Sequence, residues 1–132
     1  MKNNKYYRVY AEINLDAIVK NVDNLMALTK ENTGALAVVK ADGYGHGDVA
    51  VAKAVAQKVT GYAVATLDEA VNLRENGVKK PILVLGYVDP YEFDILVSHE
   101  ITATVFDVET AQLLADAARV QKKQAHCHIK VD

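Results

Sequence analysis

Short apolar runs alternate with helix-period segments along the chain, and this alternation limits the folds open to it. Five runs rich in valine, isoleucine and alanine are the right length for strands, at residues 35–39, 62–65, 82–85, 101–105 and 125–131. Between them, apolar residues recur three and four positions apart, as on one face of a helix. Strands that alternate with helices favour a parallel sheet built from βα units.

Residues that stabilise helix N-termini precede the amphipathic segments. They are Asn14, Asp48, Thr66, Asp89 and Asp107. Thr66 and Glu69 have the spacing of a capping box, in which each side chain accepts a hydrogen bond from the backbone amide of the other residue. The segment capped by Asp48 is predicted to be helical to about Val59, with a thin apolar stripe that can pack closely against a sheet.

Two parallel architectures fit this pattern. An open doubly wound sheet is complete at 132 residues, whereas a (β/α)8 barrel needs roughly 250 residues. The chain stops at Asp132, directly after a predicted strand, where a loop is expected. We therefore predict an α/β fold of the TIM-barrel family that is incomplete, with about five of the eight βα units. In this interpretation residues 1–132 are the N-terminal part of the barrel, and the remaining units lie outside the sequence.

Composition narrows the class of protein. The chain is 51% hydrophobic and 24% charged, and its net charge is −2 with no basic stripe, so neither nucleic acid nor an anionic membrane is an expected partner. The N-terminal segment MKNNKYYRVYAEI lacks the apolar core of a signal peptide, and no apolar run approaches the roughly 18 residues of a membrane span. Cys127 is the only cysteine, which suits a reducing compartment. We predict a cytoplasmic protein that acts on small molecules.

The segment AVVKADGYGHG, residues 37–47, carries the candidate chemistry. Lys40 ends a predicted strand, and active sites of barrels form at that end of the strands. An apolar environment favours the neutral form of an amine, which can form a Schiff base with an aldehyde of a substrate or of pyridoxal phosphate. The alternative is a lysine that extends to solvent. The glycines suit tight left-handed turns better than a phosphate cradle, and Tyr44 can donate a hydrogen bond from its hydroxyl.

Other candidate residues have weaker patterns. Leu85 ends another predicted strand at the same rim and either contacts the cofactor or belongs to the core. His126 and His128 lie two apart on the last predicted strand, on one face with Lys130. They supply two metal ligands but no third at a recognisable spacing, so no metal site is predicted. In a barrel we expect these positions in the polar upper layer of the interior.

Three stretches resemble one family. VVKADGYGHG resembles the pyridoxal phosphate attachment motif of alanine racemases, AEINLDAIVKNV resembles that family's N-terminal signature, and HIKVD resembles the start of its next motif. The resemblance implies that pyridoxal phosphate is the cofactor. It implies that Lys40 is the Schiff-base lysine and a catalytic base, and that Tyr44 binds the cofactor phosphate. Lys130 corresponds to a lysine that many members carry as a carbamate, which orients a substrate-binding arginine.

The same resemblance implies a function. Members interconvert L-alanine and D-alanine, supply D-alanine for the cell wall, and are homodimers. Their second catalytic base, the substrate-binding arginine and a β-rich C-terminal domain belong to later segments, so we expect the isolated 132-residue chain to racemise poorly or not at all. Alternatives are another pyridoxal phosphate barrel, such as an amino-acid decarboxylase or a cofactor homeostasis protein, or a non-catalytic structural piece. Serine or a broader range of substrates stays open.

Overall fold

Five parallel strands form one sheet in the computed structural model, which describes residues 9–131. The strands are β1 (Leu36–Val38), β2 (Gly61–Val64), β3 (Ile82–Val84), β4 (Thr102–Val105) and β5 (His126–Ile129). Their spatial order is their sequence order, β1-β2-β3-β4-β5. A doubly wound sheet reverses its strand order at a switch point, whereas a barrel does not. The sheet therefore has the topology of an incomplete (β/α)8 barrel, as predicted.

Helices connect the strands. They are α1 (Leu15–Met26), α2 (Lys40–Gly45), α3 (Asp48–Ala54), α4 (Leu67–Glu75), α5 (Phe93–Ser98) and α6 (Val108–Val120), with a 3-10 turn at Pro90–Glu92 before α5. No helix within residues 9–131 is long and apolar enough to cross a membrane. Residues 9–13 precede α1 and form no strand.

The two faces of the sheet have different roles. Side chains that alternate along the strands pack with the helices in one apolar core, which includes Tyr62, Val64, Ile82, Val84, Ala103 and Val105. The intervening positions form the opposite face. The strand register aligns them across the sheet as Val38, Ala63, Leu83, Thr102 and His126. In a barrel this second face is the interior. A site can form where the strands end, at the carboxyl edge of the sheet.

Most predicted helix caps are confirmed. Asn14 accepts a hydrogen bond from the Ala17 amide at 3.0 Å, and the capping box of Thr66 and Glu69 is present. The prediction for Asp48 is wrong by one residue, because Gly47, with φ at +87°, precedes the first turn and Asp48 lies inside α3. The helix also ends at Ala54 rather than near Val59. Residues 55–58 continue as turns, which still bury the apolar stripe.

Tyr62 links the sheet to α3 from within the core. Its ring is 1% exposed, and its hydroxyl donates a 2.6 Å hydrogen bond to the Ala52 carbonyl. Replacement by phenylalanine leaves that carbonyl without its partner, so we expect Tyr62→Phe to lower the free energy of unfolding by about 1–2 kcal/mol at pH 7. Urea denaturation measures the difference. An unchanged free energy of unfolding would contradict this role.

The same tyrosine predicts a pH dependence. Burial raises the pKa of Tyr62 above its ordinary value of 10.0. The folded state therefore binds the Tyr62 proton more tightly than the unfolded state. The stability that the protonated hydroxyl provides is lost as the pH rises from 10 through the raised pKa. Tyr62→Phe lacks this loss, so the gap between the two proteins should narrow above pH 10. Denaturation of both proteins at pH 7 and above pH 10 tests it.

Candidate functional site

Three of the predicted site residues lie at the carboxyl edge of the sheet. Lys40, Leu85 and Lys130 follow the ends of β1, β3 and β5. Backbone hydrogen bonds extend the strand pairing to this edge, from the Leu85 amide to the Val64 carbonyl at 2.8 Å and from the Lys130 amide to the Val105 carbonyl at 2.8 Å. Lys40 is half-buried, Leu85 is 39% exposed and Lys130 is exposed. The topology thus gathers these residues along one rim.

The chain after Lys40 makes a left-handed helical turn. Ala41, Asp42, Gly43 and Tyr44 have φ between 51° and 60° and ψ between 37° and 53°. This conformation costs about 1–2 kcal/mol for each residue that carries a Cβ. Only Gly43 escapes that cost, so the surrounding structure has to hold the turn. Strained backbone of this kind is concentrated at functional sites.

Part of the support comes from within the turn. The Gly43 amide donates to the Val39 carbonyl at 2.9 Å, and the Gly47 amide donates to the Asp42 carbonyl at 2.8 Å. The His46 ring adds two contacts, from Nδ1 to the carbonyls of Gly43 at 3.0 Å and Tyr44 at 3.1 Å. Carbonyl oxygens only accept, so Nδ1 carries a proton. His46 therefore organises the turn.

Helix α4 supports the turn from outside. A Glu69 carboxylate oxygen accepts a 2.7 Å hydrogen bond from the Ala41 amide. One turn further along α4, the Asn72 amide donates to an oxygen of Asp48 at 2.9 Å. From the sequence, Glu69 was predicted only as the partner of Thr66 in a local capping box. The contact with Ala41 joins residues 28 apart, and no local spacing signals it.

Two polar groups of the motif are left for a ligand. The side chains of Asp42, His46 and Asp48 are all hydrogen-bonded within the turn and the start of α3. By contrast, the Lys40 ammonium and the Tyr44 hydroxyl have no hydrogen-bond or ion-pair partner among residues 9–131, and Tyr44 is 60% exposed. An amine that can condense with an aldehyde and a phenol that can donate to a phosphate are the chemistry that pyridoxal phosphate requires.

An aromatic pair that sequence analysis missed lies in the loops after β3 and β4. The rings of Tyr87 and Phe106 are 6.2 Å apart at 37°, and both are more than half exposed. Desolvation, followed by the carboxylates of Asp89 and Asp107, raises the pKa of Tyr87. A tyrosine hydroxyl is protonated at neutral pH, so Tyr87 can donate a hydrogen bond at the rim.

The histidines of β5 lie elsewhere. His126 and His128 line a cavity of about 350 Å³ together with Arg74 and Glu100. His126 is the first residue of β5, so this cavity opens at the amino end of the strands, opposite Lys40. The prediction of an upper-layer position for His126 is wrong, because the strand begins at that residue. Within the described part of the chain, no three His, Cys, Asp or Glu side chains are grouped to hold a metal ion.

Comparisons with known proteins agree on one family. The family model "Alanine racemase, N-terminal domain" matches residues 13–132. The chain is 45% identical over 135 residues to alanine racemase 1 of Bacillus subtilis, covering 100% of this chain and 34% of that protein. It is 42% identical over 133 residues to alanine racemase 1 of Oceanobacillus iheyensis, covering 100% of this chain and 35% of that protein.

A solved structure gives the same result for the fold. Alanine racemase of Clostridium difficile 630 in complex with cycloserine superposes with a TM-score of 0.93 at 40% identity. The match covers 98% of this chain and 35% of that one. This likeness confirms the predicted barrel fragment. The chain spans about a third of the length of the curated relatives it matches.

Proposed function

Since the chain belongs to the alanine racemase N-terminal domain family, we propose that it supplies the cofactor-binding lysine of a pyridoxal phosphate-dependent amino-acid racemase. The observation that carries this proposal is the state of Lys40. This half-buried residue follows β1 at the carboxyl edge of the sheet, and its amine has no partner among residues 9–131. A lysine without a competing ion pair is available as a nucleophile. Alanine is the proposed substrate, because the relatives are named for it.

Each site residue has a distinct proposed role. When bound, pyridoxal phosphate supplies an electrophilic aldehyde and a ring that delocalises the charge left by loss of the alpha proton. Lys40 would hold the cofactor covalently, and its amine would act as the base for the alpha proton on one face. The Tyr44 hydroxyl donates to the phosphate, and Leu85 provides an apolar contact. Lys130, exposed at the end of β5, supports the substrate side of the site as a carbamate.

Racemisation needs more than these residues. Removing a proton from one face and returning it to the other takes two bases, and bases that act as a unit lose most of their effect when one is missing. We propose that the second base, the substrate-binding arginine and the β-rich domain come from the two thirds of the relatives' length that this chain does not match. The 132-residue chain alone is therefore expected to bind cofactor without efficient turnover.

The biological setting is part of the same proposal. The whole protein acts as a homodimer in the cytoplasm and supplies D-alanine for the cell wall. A reducing compartment is consistent with Cys127, which is a free, exposed thiol. The mixed, slightly acidic surface favours a small-molecule substrate over nucleic acid or lipid.

Binding and turnover are tested on one preparation of the purified 132-residue chain. We expect a new visible absorbance band when pyridoxal phosphate is added. Pyridoxamine phosphate, which has the same ring and phosphate but no aldehyde, is the control and should give no such band. In the same sample, interconversion of L-alanine and D-alanine should stay at the level of free cofactor.

Three results would count against the proposal. Absence of any band that depends on the aldehyde would remove the cofactor role and leave a structural piece. Robust racemisation by the chain alone would show that both bases lie within these 132 residues. Release of carbon dioxide from an amino acid, without racemisation, would favour a decarboxylase instead.

A further inference from the structure

We propose that Glu69 is a positioning residue for Lys40 and acts on it through the backbone. This inference rests on the proposed function of Lys40 and adds a residue on a different helix. Glu69 lies in the first turn of α4 and is half-buried. Its carboxylate is the only side chain among residues 9–131 that bonds the peptide group directly after Lys40.

One carboxylate joins two strand ends. Oxygen Oε1 of Glu69 accepts from the Ala41 amide at 2.7 Å. Oxygen Oε2 accepts from the Ala65 amide at 2.7 Å and from the Thr66 amide at 3.3 Å. Glu69 thus ties the chain that leaves β1 to the chain that leaves β2. Hydrogen bonds to an ionised acceptor are shorter and stronger than those between neutral groups.

The position of the Ala41 amide matters for the Lys40 side chain. This amide belongs to the peptide unit that joins Lys40 to Ala41, so its direction sets the backbone on the carboxyl side of the Lys40 Cα. On the amino side, the Val39 amide donates to Ala63 and the Val39 carbonyl accepts from Gly43, both at 2.9 Å. Because both flanking peptide units are held by hydrogen bonds, the direction of the Lys40 Cα–Cβ bond is fixed.

The left-handed turn makes this contact necessary. Ala41 has φ at 51°, a conformation that alanine avoids. The turn keeps its bond from Gly43 to Val39 only while Ala41 holds this φ, and the Glu69 carboxylate fixes the Lys40–Ala41 peptide unit from which the turn starts. The carboxylate therefore holds an unfavourable backbone that aims the lysine, and its loss should let the turn relax and the amine lose its direction.

A capping role alone has to be separated from a positioning role. Thr66→Ala is the matched variant, because it removes the hydroxyl that accepts from the Glu69 amide at 3.4 Å but leaves the Glu69 carboxylate on Ala41. Glu69→Ala breaks the other half of the capping box, the bond from the Thr66 amide, and also frees the amides of Ala41 and Ala65. Glu69→Gln keeps the size of the side chain but has only one oxygen, so the backbone amides bonded to one of the two carboxylate oxygens lose their acceptor.

The experiment compares these variants and the wild-type chain. NMR measures hydrogen exchange of the Ala41 amide and the backbone carbon shifts of Lys40 and Ala41, without cofactor. Visible absorbance measures the rate of covalent pyridoxal phosphate attachment. In Glu69→Ala we expect Ala41 exchange to be faster by about tenfold to a hundredfold and attachment to be slower by about tenfold. Thr66→Ala should stay within about twofold of wild type in both.

The outcomes separate the two proposals. Unchanged Ala41 exchange and carbon shifts in Glu69→Ala would overturn the positioning role, as would equal slowing of attachment in Thr66→Ala. If the wild-type chain takes up no pyridoxal phosphate, the proposed function fails, while the carbon shifts still decide whether Glu69 holds the turn. Circular dichroism checks folding, and Glu69→Gln carries the test if Glu69→Ala does not fold.

Discussion

Lys40→Ala is expected to abolish covalent uptake of pyridoxal phosphate by the chain. The wild-type absorbance band that depends on the cofactor aldehyde should fall to the level of free cofactor, because alanine has no amine to condense with it. The fold should survive, since Lys40 follows β1 and has no side-chain hydrogen bond among residues 9–131. Circular dichroism and urea denaturation check that point.

Lys53→Ala is the matched control for this loss. Lys53 is an exposed lysine near the end of α3, so its replacement removes an equal charge away from the rim. We expect the band to keep its wild-type size and rate of formation in Lys53→Ala. A band that persists in Lys40→Ala, or that falls equally in both variants, would show that the amine at position 40 is not the attachment point.

Arg74→Ala is expected to lower the free energy of unfolding by about 2–4 kcal/mol. The Arg74 guanidinium donates to four carbonyls of two neighbouring loops. These are Val78 at 2.7 Å, His99 at 2.9 Å, Glu100 at 2.9 Å and Lys80 at 3.0 Å. The four bonds join the segment before β3 to the segment before β4. Removing the side chain leaves all four acceptors without their donor.

The charge of Arg74 is retained in this position. Desolvation lowers the pKa of Arg74, and the Glu100 carboxylate opposes that shift. Arg74→Lys keeps the charge but lacks the planar fork of donors, so it should recover only part of the loss. Urea denaturation of the three proteins measures the differences. Equal stability of wild type and Arg74→Ala would contradict the role of Arg74 in joining the loops.

Local patterns predicted the elements of the fold well. The five apolar runs correspond to the five strands, and the capping box at Thr66 starts α4 as expected, because both signals depend on neighbouring residues. The alternation of strands and helices does not by itself decide the strand order, since doubly wound and barrel topologies share it. Helix α3 starts one residue earlier than predicted. Gly47 precedes its first turn with a positive φ, which depends on the preceding turn and not on the local sequence pattern.

The candidate site was predicted in part. A lysine after a short apolar run and three glycines indicated the rim and the tight turn, and the turn is left-handed from Ala41 to Tyr44. The contact of Glu69 with Ala41 was not predictable, because it depends on how α4 packs beside the end of β1. The resemblance to alanine racemases, which the family match confirms, supplied the roles that spacing alone leaves open.

The most direct measurement locates the cofactor on the chain. The purified protein is mixed with pyridoxal phosphate, reduced with borohydride to fix any imine, digested, and mapped by mass spectrometry. We predict that the added mass lies on Lys40, within the peptide that carries the left-handed turn. Label spread over exposed lysines such as Lys53 and Lys122, with none on Lys40, would contradict the central claim.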